Sequence, residues 1–257
     1  MELIALDIVD RVATLTLQSD DKNTITHPFL DQLKSHMDSA LHSDARCLLI
    51  QSSNPKFFSN GFHPDVFLDQ PAEEKSGIMR KLVKLGMEQF LFPLPTVCAV
   101  SGYAAGGGAF IAAYCDFRFM SAQKARIGFT EVQLAMTIPS AALELLNHRL
   151  GLQNTLKCIL PGDMLGSEDC LRLGLVDEIC ADAESTRSRA ADQARKLAAL
   201  PRESLISLKK GALSYLDTSH FDARIEEDMK EIERLMATPD CESAFAALKE
   251  GRRPRYQ

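Results

Sequence analysis

The stretch SGYAAGGGAF, residues 101–110, sets three consecutive glycines between two apolar runs. Before them stand Thr96, Val97, Cys98, Ala99 and Val100, a β-type run that predicts a strand. After them come Ala109, Phe110, Ile111, Ala112 and Ala113, which predict a helix reaching about Tyr114. Glycine costs conformational entropy in either element, so the junction needs bare backbone. Two needs are open. A strand-to-helix turn made of glycines leaves unpaired N–H groups at a helix N-terminus, where a phosphate, carboxylate or enolate oxygen binds. Alternatively, the glycines only let a helix approach a strand closely. The phosphate motifs fail. No Lys-Ser or Lys-Thr follows, and Gly102, Gly106, Gly107 and Gly108 lack the dinucleotide-binding spacing.

A second turn bears on the choice. Asn60-Gly61-Phe62 also follows a β-type run and precedes a helix start at Pro64. Two such turns can each supply one backbone N–H to a single oxygen, the minimum for an oxyanion hole. Such a hole needs no particular side chain at either donor.

Outward from these turns, residues 2–17 form two β-type runs joined by a hairpin turn at Asp10-Arg11. Helices are predicted from Pro28 to Leu41 and over 73–91, 140–150, 153–160, 167–173, 184–200, 202–212, 221–236 and 240–250. Short strands are predicted at 47–53, 117–122 and 125–129. Strands therefore dominate the first half and helices the second, an α/β chain. The 257 residues suffice for one large domain or a core with an appendage. The net charge of −6 gives no basic bias toward nucleic acid or membrane. No apolar run approaches the roughly 18 residues of a membrane span. The acidic, strand-like opening MELIALDIVD reads as neither a secretory signal nor a transit peptide, and the chain ends without the peroxisomal tripeptide. Seven cysteines without a CxxC pair fit buried thiols in a reducing cytoplasm, and no metal site is expected.

Four segments then fall in order: FFSNGF (57–62), VSGYAAGGGAFIAAYCDFRFM (100–120), RIGFTEVQLAMTIP (126–139) and RLGLVDEI (172–179). Together with ALKEGRRPRY (247–256) they resemble the crotonase, or enoyl-CoA hydratase/isomerase, superfamily over nearly the whole chain. The resemblance implies a spiral of ββα turns over residues 1–200 carrying an acyl-CoA site. Residues 201–257 would then be a helical region that mediates trimerisation, giving a homotrimer or hexamer. It implies an acyl-CoA thioester as substrate, with coenzyme A entering as part of the substrate and no separate cofactor. The two oxyanion donors map to the N–H groups of Phe62 and Gly107. Lys22, Asn23 and Thr24 fall where the family contacts coenzyme A, with Lys22 either a phosphate partner or a solvated surface lysine. Asn60, Gly61, Gly106 and Phe110 complete the substrate-binding set.

Hydratases of this superfamily use two glutamates. The first position is Phe110 here, and the second is Glu131. Hydration needs one group to activate water and another to deliver a proton, and phenylalanine does neither. Moving a double bond from C3=C4 to C2=C3 needs one base for C2 that returns its proton at C4. The chain therefore resembles the Δ3,Δ2-enoyl-CoA isomerases most. Apolar neighbours Phe110, Ile127, Phe129 and Leu134 would raise the pKa of Glu131 if they line the site. A one-acid hydratase or a thioester hydrolase is the alternative. Glu144 is a weaker candidate base, and Asp116 fits a structural role between helix and strand. His63 stands where the family commonly has Asp, a better N-cap. The acidic loop from Asp65 to Gly77 corresponds to the family's cover over the acyl tail. The apolar stripe Phe221, Ile225, Met229, Ile232 and Met236, followed by Phe245 and Leu248, predicts more apolar surface than a small region buries alone.

Overall fold

A computed structural model describes residues 2–68, 70–250, 252 and 254–256. The chain begins with a hairpin, β1 (Ile4–Val9) and β2 (Val12–Leu17). Asp10 and Arg11 both take positive φ, 50° and 62°, the backbone twist that a two-residue hairpin turn requires. Helix α1 (His27–His42) follows, with Pro28 in its first turn and Thr26 as its cap. The first spiral turn is β3 (Cys47–Ser52), β4 (Phe57–Ser59) and α2 (Ala72–Phe90). The second is β5 (Thr96–Val100), β6 (Tyr103–Ala105) and α3 (Gly107–Ala113). The third is β7 (Phe117–Ser121), β8 (Arg126–Gly128) and α4 (Ser140–Leu150). Then come α5 (Leu152–Ile159), α6 (Ser167–Leu173), β9 (Glu178–Cys180), α7 (Ala183–Ala198), α8 (Arg202–Ala212), α9 (Phe221–Met236) and α10 (Pro239–Lys249).

Each turn of the spiral places one strand in each of two sheets. The larger sheet runs β1-β2-β3-β5-β7-β9 and is parallel from β2 onward. The smaller is the parallel trio β4-β6-β8. The strand expected to run into the glycines is thus two strands. β5 ends at Val100, the chain turns at Ser101-Gly102, and β6 carries it into the second sheet. Gly102 permits this corner, because a Cβ there would lie 2.3 Å from the carbonyl of Lys56. β9 also lies outside the expected strands, because three residues are too short for a periodicity signal.

Residues after 200 pack back on their own core. Helix α9 lies against α2 and α4, and α10 against the short helical turns at 64–66 and 131–134. Phe221, Ile225, Met229 and Ile232 are all buried this way. Most of the stripe expected to need a neighbouring subunit is thus covered within the chain by α2 and α4, whereas Met236 is half-buried and Leu248 stays 38% exposed. Leu208 and Tyr215, 71% and 66% exposed, are the most open large apolar groups described after residue 200. The cysteines are buried free thiols. Among the described residues, no helix is long and apolar enough to cross a membrane.

Asp116, at the exit of α3, ties α8 to the core. Its Oδ2 accepts from the Thr96 N–H (2.9 Å) and from Lys209 Nζ (2.5 Å), and its Oδ1 from Arg149 Nη2 (3.1 Å). Burial alone would raise its pKa, but Lys209, Arg149 and the hydrogen bonds outweigh burial and hold it below the usual carboxylate range. The structural role expected for Asp116 is thus the one it has. Removing Lys209 leaves a buried carboxylate with one cation instead of two. Lys209→Met is expected to lower the unfolding free energy by about 3 kcal/mol. Urea denaturation checks this; a loss under about 1 kcal/mol would show that Arg149 alone satisfies Asp116.

Candidate active site

The carboxyl ends of β4 and β6 lie side by side, so the two turns that leave them meet. Gly61 adopts φ 77° and Gly106 φ 51°, both left-handed-side conformations that favour glycine. A Cβ on Gly61 would lie 2.8 Å from the Ala105 carbonyl oxygen and 3.6 Å from the Gly107 nitrogen. The three consecutive glycines are bare for three reasons. Gly106 needs its positive φ. Gly107 faces the side-chain ends of Leu82 and Ile25, which would stand 2.8 and 2.9 Å from a Cβ there. Gly108 seats α3 on the backbone of Ser59, whose carbonyl oxygen would stand 2.4 Å from a Cβ. Close packing therefore accounts for Gly108 and, against side-chain ends, for Gly107, while Gly106 shapes the turn.

Phe62 forms a parallel bridge with Ile25, using the flanking bonds from Ile25 N–H to the Gly61 carbonyl (2.8 Å) and from His63 N–H to the Ile25 carbonyl (3.0 Å). In that geometry the N–H of Phe62 itself points away from Ile25. Gly107 is the first residue of α3, so its N–H lacks an intrahelical acceptor. Among the described residues neither N–H has a hydrogen-bond partner.

These donors stand at the throat between two spaces. Outside is a cleft of about 1120 Å³, and inside is a small apolar void of about 30 Å³ between α2, α3 and α4. Phe62, Met79, Gly107 and Glu131 line both. Glu131 opens the short helical turn after β8, and a Cβ on Gly106 would lie 3.4 Å from its Oε1. The residue is half-buried, but its Oε2 is closed off from solvent and has no hydrogen-bond partner among the described residues. Burial pushes its pKa up to about 7, only partly offset by its own backbone N–H. Phe110, expected beside it, packs edge-on against Phe129 at 4.8 Å and lines the void. The void's other walls include Leu82, Gly86, Gln89, Tyr114 and Ala142. The site can thus hold one anionic oxygen at two N–H groups beside a single poised carboxyl group.

Other expected residues divide. Lys22, Thr24, Asn60, Gly61 and Gly106 line the outer cleft. Asn23 does not. It is fully buried at φ 49°, accepts from Ser19 N–H, and donates to Ser52 Oγ (2.8 Å) and to the Leu17 and Phe57 carbonyls. Its side chain ties the ends of β2, β3 and β4 together and is closed off from the cleft. Glu144 pairs with Arg224 and His220 and lines neither space, which removes it as the base. His63 does cap the short turn at 64–66, its Nδ1 accepting from Asp65 N–H at 3.3 Å, and it faces the cleft. The stretch expected as a loop from Asp65 to Gly77 becomes helical at Ala72. Residues unforeseen at the site come from the far end of the chain. Phe245, Leu248, Arg252 and Pro254 line the outer cleft, and Phe245 stacks on Phe67 at 5.2 Å. Their proximity has no local sequence signal.

Two glycine turns and one carboxyl group with a buried oxygen thus meet on a spiral of ββα turns. The chain belongs to the enoyl-CoA hydratase/isomerase family, which it matches over residues 7–257. It is 26% identical over 261 residues to a Bacillus subtilis protein named "Probable enoyl-CoA hydratase", covering 100% of this chain and 99% of that one. It is 28% identical over 180 residues to "Enoyl-CoA delta isomerase 2, peroxisomal" of Arabidopsis thaliana, covering 66% of this chain and 74% of that one. Human mitochondrial delta3-delta2-enoyl-CoA isomerase superposes with a TM-score of 0.89 at 18% identity, covering 97% of this chain and 98% of that one. The enoyl-CoA hydratase structure from Bacillus halodurans gives 0.86 at 21% identity, covering 96% of this chain and 100% of that one.

The raised pKa of Glu131 has a thermodynamic consequence. Its folded value of about 7 exceeds the ordinary 4.5, so the folded state holds an extra proton between those values. The stability this proton gives is complete below pH 4.5 and is lost as pH rises through 7. Glu131→Gln is therefore expected to stabilise the fold at pH 8, by up to roughly 3 kcal/mol, and to add little at pH 4.5. Urea denaturation at both pH values checks this; an equal effect at both would show that the carboxylate is solvated.

Proposed function

We propose that the chain is an acyl-CoA isomerase that moves a C3=C4 double bond to C2=C3. The carrying observation is the single carboxylate at the throat, with its buried, unpartnered Oε2 and Phe110 where a second acid would stand. The acyl-CoA thioester lies along the outer cleft, with its carbonyl oxygen at the N–H groups of Phe62 and Gly107 and its acyl chain directed toward the apolar residues at the throat. Glu131 takes a proton from C2. The electron pair delocalises onto the thioester oxygen, and the two N–H groups stabilise the resulting dienolate. The carboxylic acid then returns the proton at C4, leaving the double bond at C2=C3. Desolvation brings the carboxyl pKa closer to that of the carbon acid and strengthens the base. The names of the relatives divide between hydratase and isomerase, so the isomerase reading rests on the site. We also propose a homotrimer or hexamer, with Leu208 and Tyr215 among the exposed apolar groups available to it.

Glu131→Gln is expected to keep acyl-CoA binding and to lose a hundredfold to ten-thousandfold in turnover, roughly the worth of a general base. For the wild-type enzyme, kcat/KM should rise about tenfold per pH unit up to about 7 and then level, because the base acts deprotonated. Initial rates and products on 3-hexenoyl-CoA and 2-hexenoyl-CoA read both. More than a tenth of wild-type rate in the variant excludes Glu131 as the base. Formation of 3-hydroxyacyl-CoA or free acid alone would replace the isomerase with the hydratase or hydrolase reading.

The donor at Gly107 has its own test. A side chain there meets only the movable ends of Leu82 and Ile25, so Gly107→Ala should fold. It crowds the thioester oxygen, and turnover should drop about a hundredfold, near 3 kcal/mol. Phe62→Leu should keep its rate, because Phe62 acts through its backbone. A well-folded Gly107→Val enzyme with normal turnover would remove Gly107 from the oxyanion hole.

A further inference from the structure

A second cleft, of about 520 Å³, opens where the spiral passes from the large sheet to the small one. It lies beyond the carboxyl ends of the parallel strands β3, β5, β7 and β9. Lys56 follows β3, Ser101 follows β5, Ser121 ends β7 and Ala183 follows β9. That edge of a parallel sheet is the general location for ligands in α/β folds. Ala183 is also the first residue of the sixteen-residue α7, whose N-terminus brings partial positive charge. The neighbouring Asp182 carboxylate is engaged as the helix cap, accepting from Ser185 N–H at 2.8 Å.

Three cations line this cleft, Lys56, Lys124 and Arg126, and among the described residues none of them makes an ion pair. On a chain of net charge −6, three cations without carboxylate partners around one cleft attract a compact anion. Ser101 supplies the independent observation. It lines the cleft at 1% exposure, and its hydroxyl has no hydrogen-bond partner among the described residues. A buried orphan hydroxyl costs free energy unless a ligand or solvent satisfies it. Arg126 adds a guanidinium fork suited to phosphate oxygens. Its strand position is opposite Tyr103, which in turn is paired with Phe57 in the next strand. Lys56 and Tyr103 line the outer thioester cleft as well, so the two spaces adjoin.

We propose that this second cleft is a phosphate-binding subsite, formed by Ser101, Lys124 and Arg126 with Lys56 at its border. Its ligand is a phosphate monoester or diphosphate. The group belongs either to the coenzyme A moiety of the substrate or to a separate small phosphorylated molecule. The first source rests on the acyl-CoA reading above; the second does not.

Calorimetric titration with adenosine 3′,5′-bisphosphate, on wild type and on the Lys124→Ala/Arg126→Ala double variant, tests the site without turnover. Binding to wild type that weakens tenfold or more in the double variant, and less in Ser101→Ala, is the expected result. Kinetics on an acyl-CoA and on the matching acyl-pantetheine thioester then separate the sources. A tenfold rise in KM for the acyl-CoA alone, with kcat unchanged, assigns the phosphate to coenzyme A. Unchanged KM values with lost bisphosphate binding assign it to a separate molecule. The proposal is overturned if wild type does not bind the bisphosphate. It is equally overturned if a folded double variant binds it as wild type does, or if Lys22→Ala alone carries the loss.

Discussion

The close seating of α3 on β4 is the contact on which the site depends. Gly108 lets the helix start directly over the Ser59 backbone, at a separation that no side chain permits. That contact fixes the height of Gly107 relative to Asn60-Gly61-Phe62. Two turns from strands far apart in sequence thereby meet. The positive φ of Gly61 and Gly106 aims both turns the same way. Both turns leave neighbouring strands of one parallel sheet, so the backbone N–H groups of Phe62 and Gly107 are held in place by the fold.

The second constraint is electrostatic. A carboxylate at the throat loses water on one oxygen and gains no cation in return. The Asp116 cluster shows the contrast in the same molecule. There a buried carboxylate meets Lys209, Arg149 and two donors of Thr96, and its pKa falls. Glu131 shares the wall of an apolar void with Phe110 and meets no cation, and burial raises its pKa. One carboxylate is a fixed structural anion, and the other can exchange its proton near neutral pH.

The helices after residue 200 close the outer cleft of their own chain. Covering α2 with α9 consumes most of the apolar stripe, and α10 brings Phe245 against Phe67. The wall of the outer cleft therefore comes from both ends of the sequence. Lys209 and Arg202 anchor this region, the latter donating to the Leu41 and Ala45 carbonyls.

Sequence alone determined the helices, the hairpin at Asp10-Arg11 and the pairing of two glycine turns, because periodicity, capping and positive-φ turns are local properties. It also singled out Glu131 and Phe110, through a family pattern in which one acid is missing. Tertiary structure decided the rest. It split the strand before the glycines at Gly102, since a corner between sheets is set by the neighbouring Lys56 backbone. It withdrew the Asn23 side chain from the cleft and engaged it with Ser52 and Phe57, residues at the facing ends of β3 and β4. It paired Glu144 with Arg224, and it buried most of the α9 stripe against α2. Each of these turns on which groups meet across the fold, and burial, unlike helix phase, is a property of the neighbours rather than of the residue.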